Sequence, residues 1–180
     1  MLQIVVPASE LWDEQKQEFI MTKEQELRLE HSLVSISKWE SKWHKVFLSE
    51  KEEKSTEEII DYVRCMTLTQ NVDPLIYLCL SKENMEAINS YISDPMTATF
   101  INEPDGRPGR EPVTSELIYY WMISLNIPFE CQKWHINRLI TLSKVCGYKN
   151  SPPKKMSKRQ IMERNNRLNK IRRAKLGTSG

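Results

Sequence analysis

The sequence predicts a mainly α-helical domain with a small N-terminal β element, followed by a basic C-terminal helical tail. Three observations carry this. From residue 31 to about 146, apolar residues recur at spacings of three and four, the period of one helical face. The first thirty residues instead alternate with period two. Charge is also segregated: from Lys149 onward eleven Lys or Arg face the single acid Glu163, a charge of +10 that leaves −8 for residues 1–148 out of a total of +2. The expected division is therefore a domain over 1–148, with its strands in about 1–30, and a tail over 149–180. A length of 180 residues, with 39% hydrophobic and 28% charged, suits one globular domain with an appendage.

Taken in order, Leu2-Gln-Ile-Val-Val is rich in β-formers, Glu18-Phe-Ile-Met is a second candidate strand, and Glu26-Leu-Arg-Leu-Glu alternates. Two or three short strands in a meander are expected. Leu33, Ile36, Trp39 and Trp43 then mark the apolar face of a first helix. Ser55-Thr-Glu-Glu58 is a capping box opening a second helix through Ile59, Ile60, Val63 and Met66. Asp73-Pro74 reads as an N-cap with Pro at the first helical position, leading a short apolar piece to Leu80. Ser81 begins a helix that Pro95 stops.

Residues 102–112, dense in Pro, Gly and charge, read as a mobile loop. Ser115–Leu125 is apolar all round and predicts a buried helix, broken at Asn126-Ile-Pro128. A helix from Phe129 to about Cys146, stopped by Gly147, is expected to pair with it as an antiparallel hairpin. Ser151-Pro-Pro-Lys-Lys is an extended linker, and Ser157-Lys-Arg-Gln160 is a capping box for a basic helix to about Lys175. Its apolar stripe, Ile161, Leu168 and Ile171, is thin, so this helix is expected to be mobile unless a partner holds it.

Several function classes find no footing. None of the five glycines forms a dinucleotide fingerprint or a phosphate loop. The longest apolar run, Leu117–Ile123, is far short of the roughly 18 residues of a membrane span, and nothing at the N-terminus reads as a secretory signal. A soluble intracellular protein with no membrane partner is expected. Cys65, Cys79, Cys131 and Cys146 contain no Cys-x-x-Cys pair and suit reduced, largely buried thiols. Cys131 and His135 stand four apart on one predicted helix, but a structural zinc needs four ligands, and His31, His44 and Cys65 would have to converge on them, so no metal or cofactor is expected. Glu57 and Asp61, one turn apart without a nearby His, read as a solvated face rather than as acid–base catalysts. No nucleophile elbow is present, and the chain reads as non-enzymatic.

Two binding features remain. Trp39, Trp43, Trp121 and Trp134 are candidates for an apolar interface, with core packing the first reading of each. Lys154, Lys155, Lys158, Arg159, Arg164, Arg167, Arg172, Arg173 and Lys175 read either as a solvated tail or as an electrostatic handle for an acidic partner. Nucleic acid is the alternative partner. It would be held through phosphates, although the cations surround most of the helix and the tail has no aromatic beyond Tyr148 to stack on bases.

Glu30-His-Ser-Leu-Val-Ser-Ile-Ser-Lys-Trp-Glu-Ser-Lys-Trp, Asp94-Pro-Met-Thr-Ala-Thr-Phe, Glu116-Leu-Ile-Tyr-Tyr-Trp-Met-Ile, Asn126-Ile-Pro-Phe-Glu-Cys-Gln, Trp134-His-Ile-Asn-Arg-Leu, Pro152-Pro-Lys-Lys-Met-Ser and Arg172-Arg-Ala-Lys-Leu-Gly-Thr follow one another along the chain. This series resembles the tail assembly chaperones of long-tailed, siphovirus-type bacteriophages over most of residues 26–177. The resemblance implies a non-enzymatic, non-virion assembly factor in the host cytoplasm. It would bind the tape measure protein, keep it soluble and extended, and promote tail tube polymerisation around it. The tail tube protein and a second copy of the chain are further implied partners. Some members of the family also exist as longer products of ribosomal frameshifting.

Overall fold

A computed structural model describes residues 1–13, 17–49, 53–99, 112–151 and 157–177. The expected loop at 102–112, but for Pro112, and the linker around Lys154 and Lys155 lie outside them. The chain is mostly helical with a small N-terminal β element, and it divides into two compact units, Met1–Tyr148 and Lys149–Gly180.

The β element has four strands, β1 (Leu2–Val6), β2 (Ser9–Asp13), β3 (Glu18–Thr22) and β4 (Gln25–Leu29), and it is not a meander. β1 pairs with β4 and β2 with β3, both antiparallel. Leu2 lies opposite Leu29, Val6 opposite Gln25, Ser9 opposite Thr22 and Asp13 opposite Glu18, so both ladders share one register. The four strands are one long hairpin interrupted at Pro7-Ala8 and Lys23-Glu24. Pro7 has no N–H to give to a ladder, and two-stranded ribbons twist strongly.

The twist changes which face looks inward. In the base of the ribbon Ile4, Val6, Leu27 and Leu29 are buried. By period two the same ribbon face continues to Trp12, Phe19 and Met21, yet these are exposed, while the opposite face supplies half-buried Leu11 and buried Thr22, whose Oγ1 lies 3.5 Å from Cys79 Sγ.

Both edges of the base are covered. Asn84 Nδ2 donates to Val5 O at 3.1 Å, and β4 is flanked by the segment after the second helix, through Glu30 N to Met66 O at 2.9 Å and Leu68 N to Arg28 O at 2.8 Å. This capped edge resists pairing with other chains.

The helices of the first unit are α1 (Leu33–Trp43), α2 (Thr56–Met66), α3 (Lys82–Ser93), α4 (Ser115–Ser124) and α5 (Ile136–Asn150), with 3-10 segments at Pro74–Cys79 and Phe129–Lys133. α2 begins with the expected reciprocal box, Ser55 Oγ accepting from Glu58 N and Glu58 Oε2 from Ser55 N. Ser32 and Ser35 make the corresponding box for α1, and Ser81 and Asn84 for α3. Leu33, Ile36 and Trp39 from α1, Val63 and Met66 from α2, Ile88, Ile118, Met122, Ile136 and Leu139 close one core over the ribbon base. Each such side chain contributes roughly 1.5–3 kcal/mol by leaving water.

Four helix expectations are corrected. α4 is not enclosed: Ser115, Ile118 and Met122 are buried, but Tyr120 and Ile123 are exposed, because α4 lays one stripe on α1. The single helix expected from Phe129 is broken at Trp134-His135, where Ile136 N is drawn to His31 O at 2.9 Å and Ser32 bridges His135. α4 therefore packs mainly on α1 rather than forming a hairpin with α5. Gly147 does not stop α5, which runs on to Asn150.

The second unit contains α6 (Lys158–Leu176). Ser157 and Gln160 cap its start, and Gly177 closes its end with φ 65° and its N–H on Arg173 O. None of its side chains is buried.

Candidate functional site

Two of the three histidines weighed as metal ligands, His31 and His135, do meet, in the core. His31, at the α1 entrance, and His135, at the α5 entrance, stack edge to face with ring centroids 4.9 Å apart. Their protonation follows from their partners. His135 Nδ1 accepts from Asn137 N at 3.3 Å, so its Nε2–H donates to Tyr91 O at 2.9 Å. Ser35 Oγ donates to Ser32 O at 2.8 Å, so the Tyr62 hydroxyl, 3.3 Å away, donates to Ser35 and accepts from His31 Nδ1–H.

Both imidazoles are thereby neutral. Burial pushes the His31 pKa down to about 3, with His135 adding to the shift, and burial likewise lowers His135. Burial also raises the Tyr62 hydroxyl. Ser, His and Tyr side chains are in contact, but Ser35, His31 and Tyr62 are enclosed, and the serine proton is committed to a backbone carbonyl. No reacting atom of a substrate has room there, so the cluster joins α1, α2 and α5. Cys131 sits in the preceding 3-10 segment, and among the described residues no group of three or more His, Cys, Asp or Glu side chains could hold a metal ion.

Asp61 is not on a solvated face. It is nearly enclosed, taking Lys42 Nζ at 2.5 Å and Trp43 Nε1 at 2.9 Å, with Arg64 at 3.8 Å. Burial alone would raise its pKa, but Lys42, Trp43 and Arg64 outweigh that and hold it below the usual carboxylate value. Beside it, Lys42, Trp43, Ile60, Asp61, Arg64 and Leu78 line an open groove of about 260 Å³. Glu58 is held low by Lys45 and the Ser55 cap. Buried Glu40 receives Phe47 N at 2.9 Å and Ser115 N at 2.8 Å, which ties α1 to the start of α4.

The four candidate tryptophans separate clearly. Trp39 is fully enclosed, its indole N–H donating to Glu58 O at 2.8 Å, and offers no surface. Trp43, Trp121 and Trp134 are half-buried, and the Arg138 guanidinium covers the Trp134 ring at 4.1 Å. Several exposed apolar side chains of the first unit were not foreseen as candidates. Trp12 and Phe19, edge to face at 4.9 Å, stand beside Met21 on the ribbon, and Tyr120 and Ile123 on α4, like Phe129 just beyond it, are exposed. The signal for the first group was the candidate strand Glu18-Phe-Ile-Met, in which the two-residue period of a strand puts Phe19 and Met21 on one face.

Lys158, Arg159, Arg164, Arg167, Arg172, Arg173 and Lys175 all lie on exposed α6, with Arg159 bridging Glu163 at 2.9 Å, while Lys154 and Lys155 lie outside the described residues. No helix among the described residues is long and apolar enough to cross a membrane. No protein-family model, curated protein or solved structure matches the chain.

Proposed function

We propose that this chain is a tail assembly chaperone of a long-tailed bacteriophage, acting in the host cytoplasm by binding the tape measure protein and holding it soluble while the tail tube polymerises around it. The observation that carries this reading is the sequence resemblance over residues 26–177. Two features support it. The surface presents apolar side chains, Trp12, Phe19 and Met21 on the ribbon and Tyr120, Ile123 and Phe129 at α4, of the kind that covers an apolar stripe of a client helix. Among the described residues, the polar clusters around His31 and Asp61 are paired internally, which suits a protein that acts through its surface.

Co-expression with the tape measure protein of the same phage tests the proposal. The expected result is that the client stays soluble, copurifies, and is released only in part by moderate salt, because apolar and charged contacts share the interface. A client that remains insoluble, or that copurifies without any gain in solubility, overturns it.

The exposed cations of α6 favour a second reading, a phosphate clamp for nucleic acid. That reading requires binding that falls by orders of magnitude between low and moderate salt and that is lost when Arg164, Arg167, Arg172 and Arg173 become Glu.

A further inference from the structure

We propose that α6 is one half of a two-helix coiled coil whose other half is an acidic amphipathic helix of a different protein. Ile161, Arg164, Leu168, Ile171 and Lys175 follow one another at steps of three, four, three and four, the spacing of a coiled-coil seam. Three of these five positions are apolar, and their exposures of 44%, 39% and 54% for Ile161, Leu168 and Ile171 leave the seam uncovered. The helix is fixed at both ends, by the Ser157–Gln160 box and the Gly177 cap. A partner therefore meets a largely ordered surface and loses less affinity to ordering it.

The charges choose the occupant. In the heptad set by the seam, Arg167 and Arg172 occupy flanking positions, with Gln160, Asn165 and Ala174 at the others. The one acid, Glu163, lies away from the seam and is bridged to Arg159. A second copy in parallel would stack Arg164 on Arg164 and Lys175 on Lys175. In either orientation it would bring flanking arginines to a helix with no acid at its own flanks, and like charges at these positions set partners apart. A helix with Asp or Glu opposite Arg164, Arg167, Arg172 and Lys175, and Leu or Ile opposite the rest, satisfies both the apolar and the charged positions. Nucleic acid would engage the cations but gives Ile161, Leu168 and Ile171 nothing apolar to meet, and α6 has no aromatic side chain to stack on bases.

This inference is independent of the phage reading. If that reading holds, it names the face of α6 that a client helix would cover. The test uses the full chain and a synthetic peptide of about four heptads, with Leu opposite Ile161, Leu168 and Ile171 and Glu opposite Arg164, Arg167, Arg172 and Lys175. Titration calorimetry should show a one-to-one complex, accompanied by a gain of helical circular dichroism. Replacing Ile161, Leu168 and Ile171 together by Ala, which keeps helix propensity, should weaken it by about thirty-fold or more. The variant Arg164→Glu with Lys175→Glu should also lose the peptide, and should regain binding to one carrying Lys at the opposing positions.

The proposal is overturned if the peptide does not bind, or if the Ala variant binds it as well as the parent. It is overturned equally if duplex DNA binds tighter than the peptide at physiological salt with no sensitivity to the Ala changes. Sedimentation showing self-association through α6 overturns the choice of occupant. Loss of tape measure solubilisation in the separate co-expression test leaves these outcomes unchanged, so the two readings fail independently.

Discussion

Lowering the pH below about 6.5 should destabilise this protein through His31. The enclosed imidazole stays neutral in the fold down to about pH 3, whereas in the unfolded chain it takes a proton near pH 6.5. Because the folded pKa is depressed, its contribution is fully present above the unfolded value and is lost as the pH falls from there toward the folded one. At pH 5 the unfolded state is favoured by 1.5 pH units of proton binding, roughly 2 kcal/mol, and at pH 4 by roughly 3 kcal/mol. His135, lowered in the same direction, steepens the loss. These are large fractions of a typical stability of about 5–15 kcal/mol.

Urea unfolding followed by tryptophan fluorescence between pH 7.5 and 4.5 reads the effect directly. His31→Asn retains a donor near the Nδ1 position for Tyr62 but has no group to titrate. It should be less stable than the parent at pH 7.5, and its profile should be flatter below pH 6.5 by about 1.4 kcal/mol per pH unit. Parallel profiles for parent and variant would refute the neutral buried imidazole.

Four further outcomes are expected. Glu40→Ala should cost about 3 kcal/mol in urea unfolding, since it leaves the Phe47 and Ser115 N–H groups without their acceptor, while Glu40→Gln, with one carbonyl for two donors, should cost less. Replacing Trp12 and Phe19 by Ser should change the melting temperature by only a few degrees, because an exposed aromatic pair contributes roughly 0.5–1.5 kcal/mol; under the proposed function it should nevertheless weaken capture of the tape measure protein. Ending the chain after residue 151 should leave the melting temperature within a few degrees, since α6 buries no side chain, and a large loss by calorimetry would show otherwise. Amide exchange should be slow in Leu2–Val6 and Gln25–Leu29, whose edges are covered, and faster in β2 and β3; equal protection would contradict the division of the ribbon into an anchored base and an exposed end.

The elements legible in the sequence are those whose cause is local. The Ser55–Glu58 box, the Asp73-Pro74 start and the Ser81 cap satisfy their backbone groups within four residues, so the chain announces them without knowing its neighbours. β2 was hidden because Ser9-Glu-Leu-Trp-Asp has no β-branched residue; it is a strand because Leu11 faces Ile20 and Trp12 faces Phe19 across the ladder. The break before α5 was hidden for a similar reason, since the competitor for the Ile136 amide, His31 O, lies about a hundred residues upstream.

Site residues divide the same way. Trp39 and Trp43 share one predicted face, yet one is sealed under Glu58 and the other opens on a groove, and only the position of α2 decides which.

In the first unit the enclosed carboxylates are matched individually: Asp61 by Lys42, Trp43 and Arg64, Glu58 by Lys45 and the Ser55 cap, and Glu40 by two backbone N–H groups. Such charges return their desolvation cost inside the molecule, and folding alone explains them. α6 is different: eight Lys or Arg stand on one exposed helix against the single acid Glu163. Concentrated like charge opposes helix formation and buries nothing in return, so folding does not account for it. An apolar seam at coiled-coil spacing, with Ile161, Leu168 and Ile171 exposed, lies on that same helix. Together they direct the functional reading of α6 to an acidic helical surface on another molecule.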